Sequence, residues 1–279
     1  MAQILDGKAL AKKIKEQVAA EAAALPRRPG LAVLLVGENP ASQVYVRGKE
    51  KDREECGILN LGRKLPVDTS EEELLGIIAQ MNADPTVDGI LVQLPLPKHI
   101  DEGKVLRAIS PAKDVDCFHP ENVGEMMVGD PICWPCTPYG VMELLREYGI
   151  SASGKHCVVL GRSNIVGKPM TLLLLRDNGT VTVCHSRTPD LKEQCLRADI
   201  LVAAVGKVNL VTADMVKEGA VVVDVAMNRN EAGKLCGDVD YAAVAEKASY
   251  ITPVPGGVGP MTRAILMKNV LAAAKDHQK

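Results

Sequence analysis

The sequence predicts an α/β protein whose C-terminal half is a Rossmann-type parallel sheet, and three observations lead there. Apolar runs of strand length recur at 31–36, 90–94, 157–160, 181–184 and 220–225, with stretches of helical spacing between them. The run 31–36 is apolar throughout rather than alternating, the mark of a strand buried on both faces of a parallel sheet. In residues 155–169, KHCVVLGRSNIVGKP, an apolar run passes into Gly161, Arg162 and Ser163 and then, from Gly167, into an apolar segment of helix length. Strand, glycine turn and helix open a dinucleotide-binding unit, in which free N–H groups at the helix start face a pyrophosphate.

The match to G-x-G-x-x-G is imperfect, because Ser163 holds the second glycine position and Gly167 falls one residue late. Spacing alone leaves a nucleotide loop and an ordinary βα turn both open. The next strand adds information. It ends in His185, Ser186, Arg187 and Thr188, where an NAD-preferring site usually places Asp or Glu. Arg187 alone reads as a solvated loop residue. Together with Arg162 and Ser186 it favours a 2′-phosphate, since guanidinium matches phosphate oxygens with fixed donors, and the cofactor expected is NADP. Gly206, ending the run 199–205, lets backbone approach that cofactor.

The chain has 279 residues, enough for two domains, with 47% apolar and 24% charged residues and a formal net charge of −2. This balance argues against nucleic acid or an anionic membrane as the main partner. No apolar run approaches the ~20 residues of a membrane span. The opening MAQILDGKAL is neither signal-like nor an Arg-rich transit peptide, so a cytoplasmic enzyme is the expectation. Most of the eight cysteines fall inside expected strands or helices, as small buried hydrophobes rather than a disulfide scaffold. Cys133 and Cys136 have C-x-x-C spacing but follow the turn-rich Gly129, Asp130 and Pro131 with no strand before them. A redox site is therefore disfavoured, and a lone pair is poor evidence for zinc; no metal is expected.

In chain order, 2–24 carries helical spacing (Leu10, Ile14, Val18) ending before Pro26. After strand 31–36 the chain turns at Gly37 to Pro40 into a helix reaching Glu55. Tyr45 and Lys49 share one side of it, near the sheet edge where ligands of open α/β folds collect. Taken alone, such a pair among the flanking charges reads as surface decoration. A strand over 59–65 and a capped helix over 69–82 follow. Gln93 interrupts strand 90–94, and a buried amide needs partners or costs about 1–3 kcal/mol. It is either a satisfied core glutamine or a site residue at the strand's end. Beyond a short helix over 101–109, Asp114 and Asp116 lie on an extended loop and can face opposite ways, one toward a pocket. Thr137 and Pro138 read as capping a helix to Tyr148 that links two domains. The prolines of 252–260, TPVPGGVGP, exclude helix and central strand. A last helix runs from Met261 and Thr262 to about Lys275 and returns to the first domain.

With VGENPASQVYVRGKEK, GILVQLPLP, PAKDVD, PCTPYG, GRSNIVGKP, GDVD and ITPVPGGVGPMT in view, the chain resembles the bifunctional methylenetetrahydrofolate dehydrogenase/methenyltetrahydrofolate cyclohydrolase family over essentially its whole length. The resemblance implies two α/β domains flanking a cleft: a folate-binding catalytic domain of residues 1–137 with 263–279, and a NADP-binding Rossmann domain of residues 138–262. It implies a folate substrate, NADP and a homodimer. Carried over by motif, Lys49 is the central catalytic residue of the cyclohydrolase step, Tyr45 lies over the folate near the reacting carbon, and Gln93 hydrogen-bonds Lys49. Asp116 binds the pterin ring and belongs to the catalytic set, while Gly259 and Pro260 line the folate pocket. Gly161, Arg162, Ser163, Gly167, Ser186, Arg187, Gly206 and Thr262 form the cofactor-binding set, with Arg162 and Ser186 on the 2′-phosphate.

Two departures from the family pattern stand out. Cys117 occupies a usual glycine position, which is harmless unless a positive φ is required there. Ala226 stands where glycine is common, which would slightly narrow the cofactor side. A monofunctional dehydrogenase and a nucleotide-binding module without turnover are the rival readings. Tyr45, Lys49 and Gln93 together argue against the first, and intact residues on both walls of the cleft argue against the second.

Overall fold

The structure, a computed structural model, describes residues 1–129 and 131–279, and the side chains of all of these but 40–42 and 44. Asp130, part of the expected turn before Cys133, lies outside the described residues. In order the elements are β1 (Gln3–Ile4), α1 (Gly7–Ala23), β2 (Gly30–Val36), α2 (Pro40–Glu55), β3 (Leu59–Asn60), β4 (Arg63–Leu65), α3 (Glu71–Ala83), β5 (Gly89–Val92), α4 (Glu102–Ala108), α5 (Pro120–Val128) and α6 (Cys136–Glu147). There follow β6 (His156–Leu160), α7 (Gly167–Arg176), β7 (Thr180–Cys184), α8 (Leu191–Leu196), β8 (Ile200–Ala203), β9 (Val221–Asp224), β10 (Asn228–Arg229), β11 (Leu235–Cys236), α9 (Tyr241–Ala245), β12 (Tyr250–Ile251) and α10 (Val258–His277). The chain divides into two compact units, one of 12–136 with 263–279, the other of 1–11 with 137–262.

In the first unit β2 pairs in parallel with β3, β4 and β5. β3 and β4 keep one register on β2 (Leu31↔Asn60, Leu34↔Arg63), so they are two halves of the strand expected over 59–65. A Cβ on Gly62 would sit 2.5 Å from the Val33 carbonyl oxygen, and the ladder breaks at this close backbone crossing. β2 and β5 are buried almost throughout, as their apolar runs predict. Leu74, Ile77 and Ile78 of α3 and Val105 of α4 close a core over Ala32, Leu34, Ile90 and Val92. Ser70 Oγ accepts the Glu73 N–H, and Glu71, Glu72 and Glu73 place negative charge at the positive end of α3. The sequence reading missed α5, whose buried positions are only Asn122 and Met126, too few to write a period.

The second unit is a parallel sheet in the order β1-β12-β9-β8-β6-β7. Gln3 and Ile4 pair with Tyr250 and Ile251, which joins residues 1–11 to this unit and not, as the resemblance implies, to the other. The same pairing delays α1, expected from residue 2, until Gly7. There a Cβ would meet the Gly257 carbonyl oxygen at 1.9 Å. α6 begins at Cys136, so Thr137 lies within the helix instead of capping it, and its hydroxyl meets that of Thr262 at 2.9 Å. α10 begins at Val258, so Gly259 and Pro260 are helical, contrary to expectation; a first-turn proline gives up an N–H that has no helical partner anyway. Among the described residues no helix is long and apolar enough to cross a membrane.

Candidate active site

The polar groups of the first unit converge on Lys49. The residue is 9% exposed, and its Nζ donates to Gln93 Oε1 at 3.0 Å. Gln93 is the first residue beyond β5. Its N–H still bonds the Leu34 carbonyl at 2.9 Å, and its Nε2 donates to the Leu94 carbonyl at 2.8 Å. The glutamine is thus both satisfied within the fold and the partner of the lysine.

Asp114 and Asp116 divide the work of their loop. Asp114 is buried and accepts the His119 N–H at 2.7 Å and the Asn122 Nδ2 at 2.9 Å. Asp116, half-buried, is the acidic neighbour of Lys49 and of the Cys136 thiol. Burial pushes the Lys49 ammonium below the usual lysine value; Asp116 and Cys136 oppose that fall, and Arg263 adds to it. Burial raises the phenol of Tyr45, one turn earlier on α2, with Arg263 pulling the other way.

Sequence reasoning missed Cys136, Asn269 and Arg263. The Cys136 thiol donates to the Val115 carbonyl at 3.3 Å, and Asn269 Nδ2 donates to the carbonyls of Val115 (2.9 Å) and Trp134 (2.8 Å). Asn269 thereby ties the segment before Asp116 to the segment before Cys136, and a buried asparagine amid the apolar residues of α10 was the available signal. Cys133 donates to the Asp114 carbonyl at 3.2 Å. A hydrogen bond with Cys117 and burial raise the Cys133 thiol, and burial raises that of Cys136, so thiolate is scarce at both, the opposite of a redox pair. Cys117 has φ +62°, so the left-handed conformation that would favour glycine is present.

In the second unit the C-terminal ends of β6, β7 and β8 make one edge. β6 pairs with β7 on one side and β8 on the other, and ligands of doubly wound sheets bind where the order reverses in this way. Leu160 is level with Cys184 and Ala203, so the residues just beyond leave the sheet side by side: Arg162 and Ser163, Ser186 and Arg187, and Gly206. Gly161 has φ +114°, and a Cβ there would meet the Ala204 carbonyl oxygen at 2.3 Å; a Cβ on Gly167 would meet the Gly161 carbonyl oxygen at the same 2.3 Å. Arg162, Ser186 and Arg187 are exposed, and no carboxylate ends β7.

One expectation fails here. The N–H groups around the start of α7 are not free, because Ser163 Oγ accepts those of Val166 (3.2 Å) and Gly167 (3.3 Å), and the Ser163 carbonyl accepts that of Lys168 (3.0 Å). The serine in the second glycine position is an internal cap. The loop after β8 is held by Asp238, whose oxygens accept the N–H groups of Val205 (2.6 Å), Gly206 (3.1 Å) and Lys207 (2.6 Å). The Ala226 N–H turns back to Asp224 Oδ1 at 3.2 Å. Gly259, Pro260 and Thr262 are placed by a third element, the first turns of α10, where Thr262 Oγ1 meets the Thr137 hydroxyl.

A Rossmann-type unit in one chain with an α/β unit built around a buried lysine defines the class: a dinucleotide-dependent enzyme. Residues 5–116 match the family model for the catalytic domain of tetrahydrofolate dehydrogenase/cyclohydrolase, and residues 135–278 match that for its NAD(P)-binding domain. The chain belongs to the tetrahydrofolate dehydrogenase/cyclohydrolase family. It is 59% identical over 279 residues to the bifunctional protein FolD of Magnetococcus marinus, covering 99% of this chain and 98% of that one. The crystal structure of the bifunctional FolD methylenetetrahydrofolate dehydrogenase/cyclohydrolase from Campylobacter jejuni matches with a TM-score of 0.95 at 50% identity over 99% of each chain. FolD of Trypanosoma brucei, solved with NADP cofactor and inhibitor, matches with a TM-score of 0.95 at 41% identity over 99% of this chain and 98% of that one.

Proposed function

We propose that the protein oxidises 5,10-methylenetetrahydrofolate to 5,10-methenyltetrahydrofolate with NADP+ and hydrolyses that product to 10-formyltetrahydrofolate. The observation that carries this reading is the buried Lys49, hydrogen-bonded to Gln93 beside Asp116, in a chain of this family.

The cofactor fits the edge of the second unit. Gly161 and Gly167 keep backbone close where side chains would collide, and Arg162, Ser186 and Arg187 supply donors for a 2′-phosphate with no carboxylate to repel it. Ser163, Gly206 and Thr262 complete the set proposed to hold it. NADP+, when bound, accepts hydride from the one-carbon bridge, leaving the methenyl cation. That step asks the protein chiefly for positioning.

Hydrolysis asks for proton transfer. Neutral Lys49 takes a proton as water adds to the cationic carbon and returns it to N5 as the carbon–N5 bond breaks, while the hydroxyl proton of the adduct leaves to solvent as the formyl C=O forms. Burial disfavours the ammonium of Lys49 and so makes the amine the better able to take up and give back a proton. Asp116 accepts the adjacent N–H donors of the pterin, Tyr45 packs over the folate, and Gly259 and Pro260 line its pocket. A homodimer and a cytoplasmic location belong to the same proposal; the eight free cysteines suit a reducing compartment.

The test mixes purified protein with 5,10-methylenetetrahydrofolate and NADP+ and follows NADPH and methenyl absorbance together. NADPH without accumulating methenyl is the expected result. Methenyl building up as fast as NADPH forms would leave a dehydrogenase alone, and silence with both NADP+ and NAD+ would refute the reading. Light scattering after size exclusion checks the dimer.

A further inference from the structure

Arg263 reaches from α10 onto the stripe of α2 that carries Tyr45 and Lys49. Its Nε lies 2.9 Å from Asp52 Oδ2, an ion pair off the line of a hydrogen bond. Its Nη1 lies 2.1 Å from where a Cβ on residue 48 would stand, so the guanidinium lies directly against Gly48, and a larger residue there would make its tip shift. A mid-helix glycine costs about 1 kcal/mol relative to alanine, and here that cost coincides with the seat of a cation. Asp52 is 3% exposed and its other oxygen is held by Lys15 at 2.5 Å, so the anchor cannot swing away. A buried carboxylate between two cations adds little net stability over apolar packing, which turns attention to what the arrangement does at Lys49.

Lys49 is faced by Gln93 from the end of β5, by Asp116 and Cys136 from the segments ahead of α5 and at the start of α6, and by Arg263 from α10. On α2 itself Arg53 turns to the Ile58 carbonyl at 2.7 Å, and Asp52 to Lys15. Arg263 is the cation of the facing set. We propose that Arg263 is a positioning residue for Lys49: anchored over Gly48 by Asp52, its fixed charge counters Asp116 and keeps the amine ready to take up and release a proton. The proposal rests on the cyclohydrolase reading of Lys49.

The experiment measures methenyltetrahydrofolate hydrolysis against pH, with the uncatalysed rate subtracted, for the native enzyme, Arg263→Met, Arg263→Gln and Arg263→Lys, each checked by thermal melting. Removing the like charge should favour the ammonium, so the rising limb of the kcat profile should move up by roughly 0.5–1 pH unit in the neutral variants. Arg263→Lys should leave the limb in place. Glutamine keeps a donor for Asp52 and carries the test if the methionine variant does not fold. An unmoved limb in the folded neutral variant, or an equal movement in Arg263→Lys, would overturn the proposal. Lys49→Met separates the two levels: hydrolysis that survives it removes the reading of Lys49 and the proposal together, whereas hydrolysis lost in Lys49→Met with an unmoved limb in Arg263→Gln removes the proposal alone.

Discussion

Gln93 is held at both ends of its amide, with Oε1 receiving Lys49 Nζ at 3.0 Å and Nε2 donating to the Leu94 carbonyl at 2.8 Å. Rotating the amide would break both bonds at once, so the lysine meets an acceptor of fixed identity. Gln93→Met should leave a buried amine without its partner, at about 1–3 kcal/mol, and lower cyclohydrolase kcat by about tenfold or more. Gln93→Glu should stabilise the ammonium and move the rising limb of the pH profile upward. Profiles of both variants check this, and a downward shift in Gln93→Glu would contradict it.

Arg162 stands two residues beyond β6, beside the end of β7, exposed and without a carboxylate opposite. Arg162→Ala should lower kcat/KM for NADP+ by roughly 10–100-fold, the worth of a charge-assisted hydrogen bond, and leave NAD+ nearly unchanged. Steady-state kinetics with each nucleotide decides, and equal losses would remove Arg162 from the 2′-phosphate.

Asp224 accepts the N–H groups of Asp238 (3.1 Å), Val239 (2.9 Å) and Ala226 (3.2 Å), yet burial outweighs these bonds and pushes its carboxyl from 3.8 up to about 6. Between those values the folded protein holds a proton that the unfolded chain has released. Its stability contribution is therefore present at low pH and lost as pH rises through about 6, on the order of 3 kcal/mol in all. Asp224→Asn should abolish that component. Urea unfolding from pH 4 to 7 should show the variant gaining stability relative to the native protein as pH rises; parallel curves would count against it.

Cys117 is buried at φ +62°, where a β-branched residue is strained by more than about 1–2 kcal/mol and glycine is not. Cys117→Val should be strongly destabilising. Cys117→Gly should remain within about 1 kcal/mol of the native protein, because relief at φ offsets the lost burial and the added freedom of the unfolded chain. Chemical denaturation of both variants tests the contrast.

What the sequence made legible was whatever is written in local spacing. The runs of β2, β5, β6 and β9 announced a parallel sheet because both faces are buried, and Tyr45 and Lys49 announced a shared helix side. Gln93 was visible as a polar break in an apolar strand. What stayed hidden depends on contacts distant in sequence: Arg263 lies over Gly48, more than 200 residues earlier, and β1 is a strand only because Tyr250 and Ile251 receive it. Ser163 misled for another reason. A serine in a glycine motif reads as a defect, but its hydroxyl takes the N–H groups that the motif would have left open. The hydrogen bonds of Cys136 and Asn269 could be read only from the fold.

Asp238 draws three successive N–H groups, those of Val205, Gly206 and Lys207, onto one buried carboxylate. The turn after β8 therefore has its shape before anything arrives. A molecule settling at that edge meets a rigid rim and forfeits little affinity to ordering it, so discrimination there is a matter of shape matched in advance rather than of a loop moulding itself to its guest.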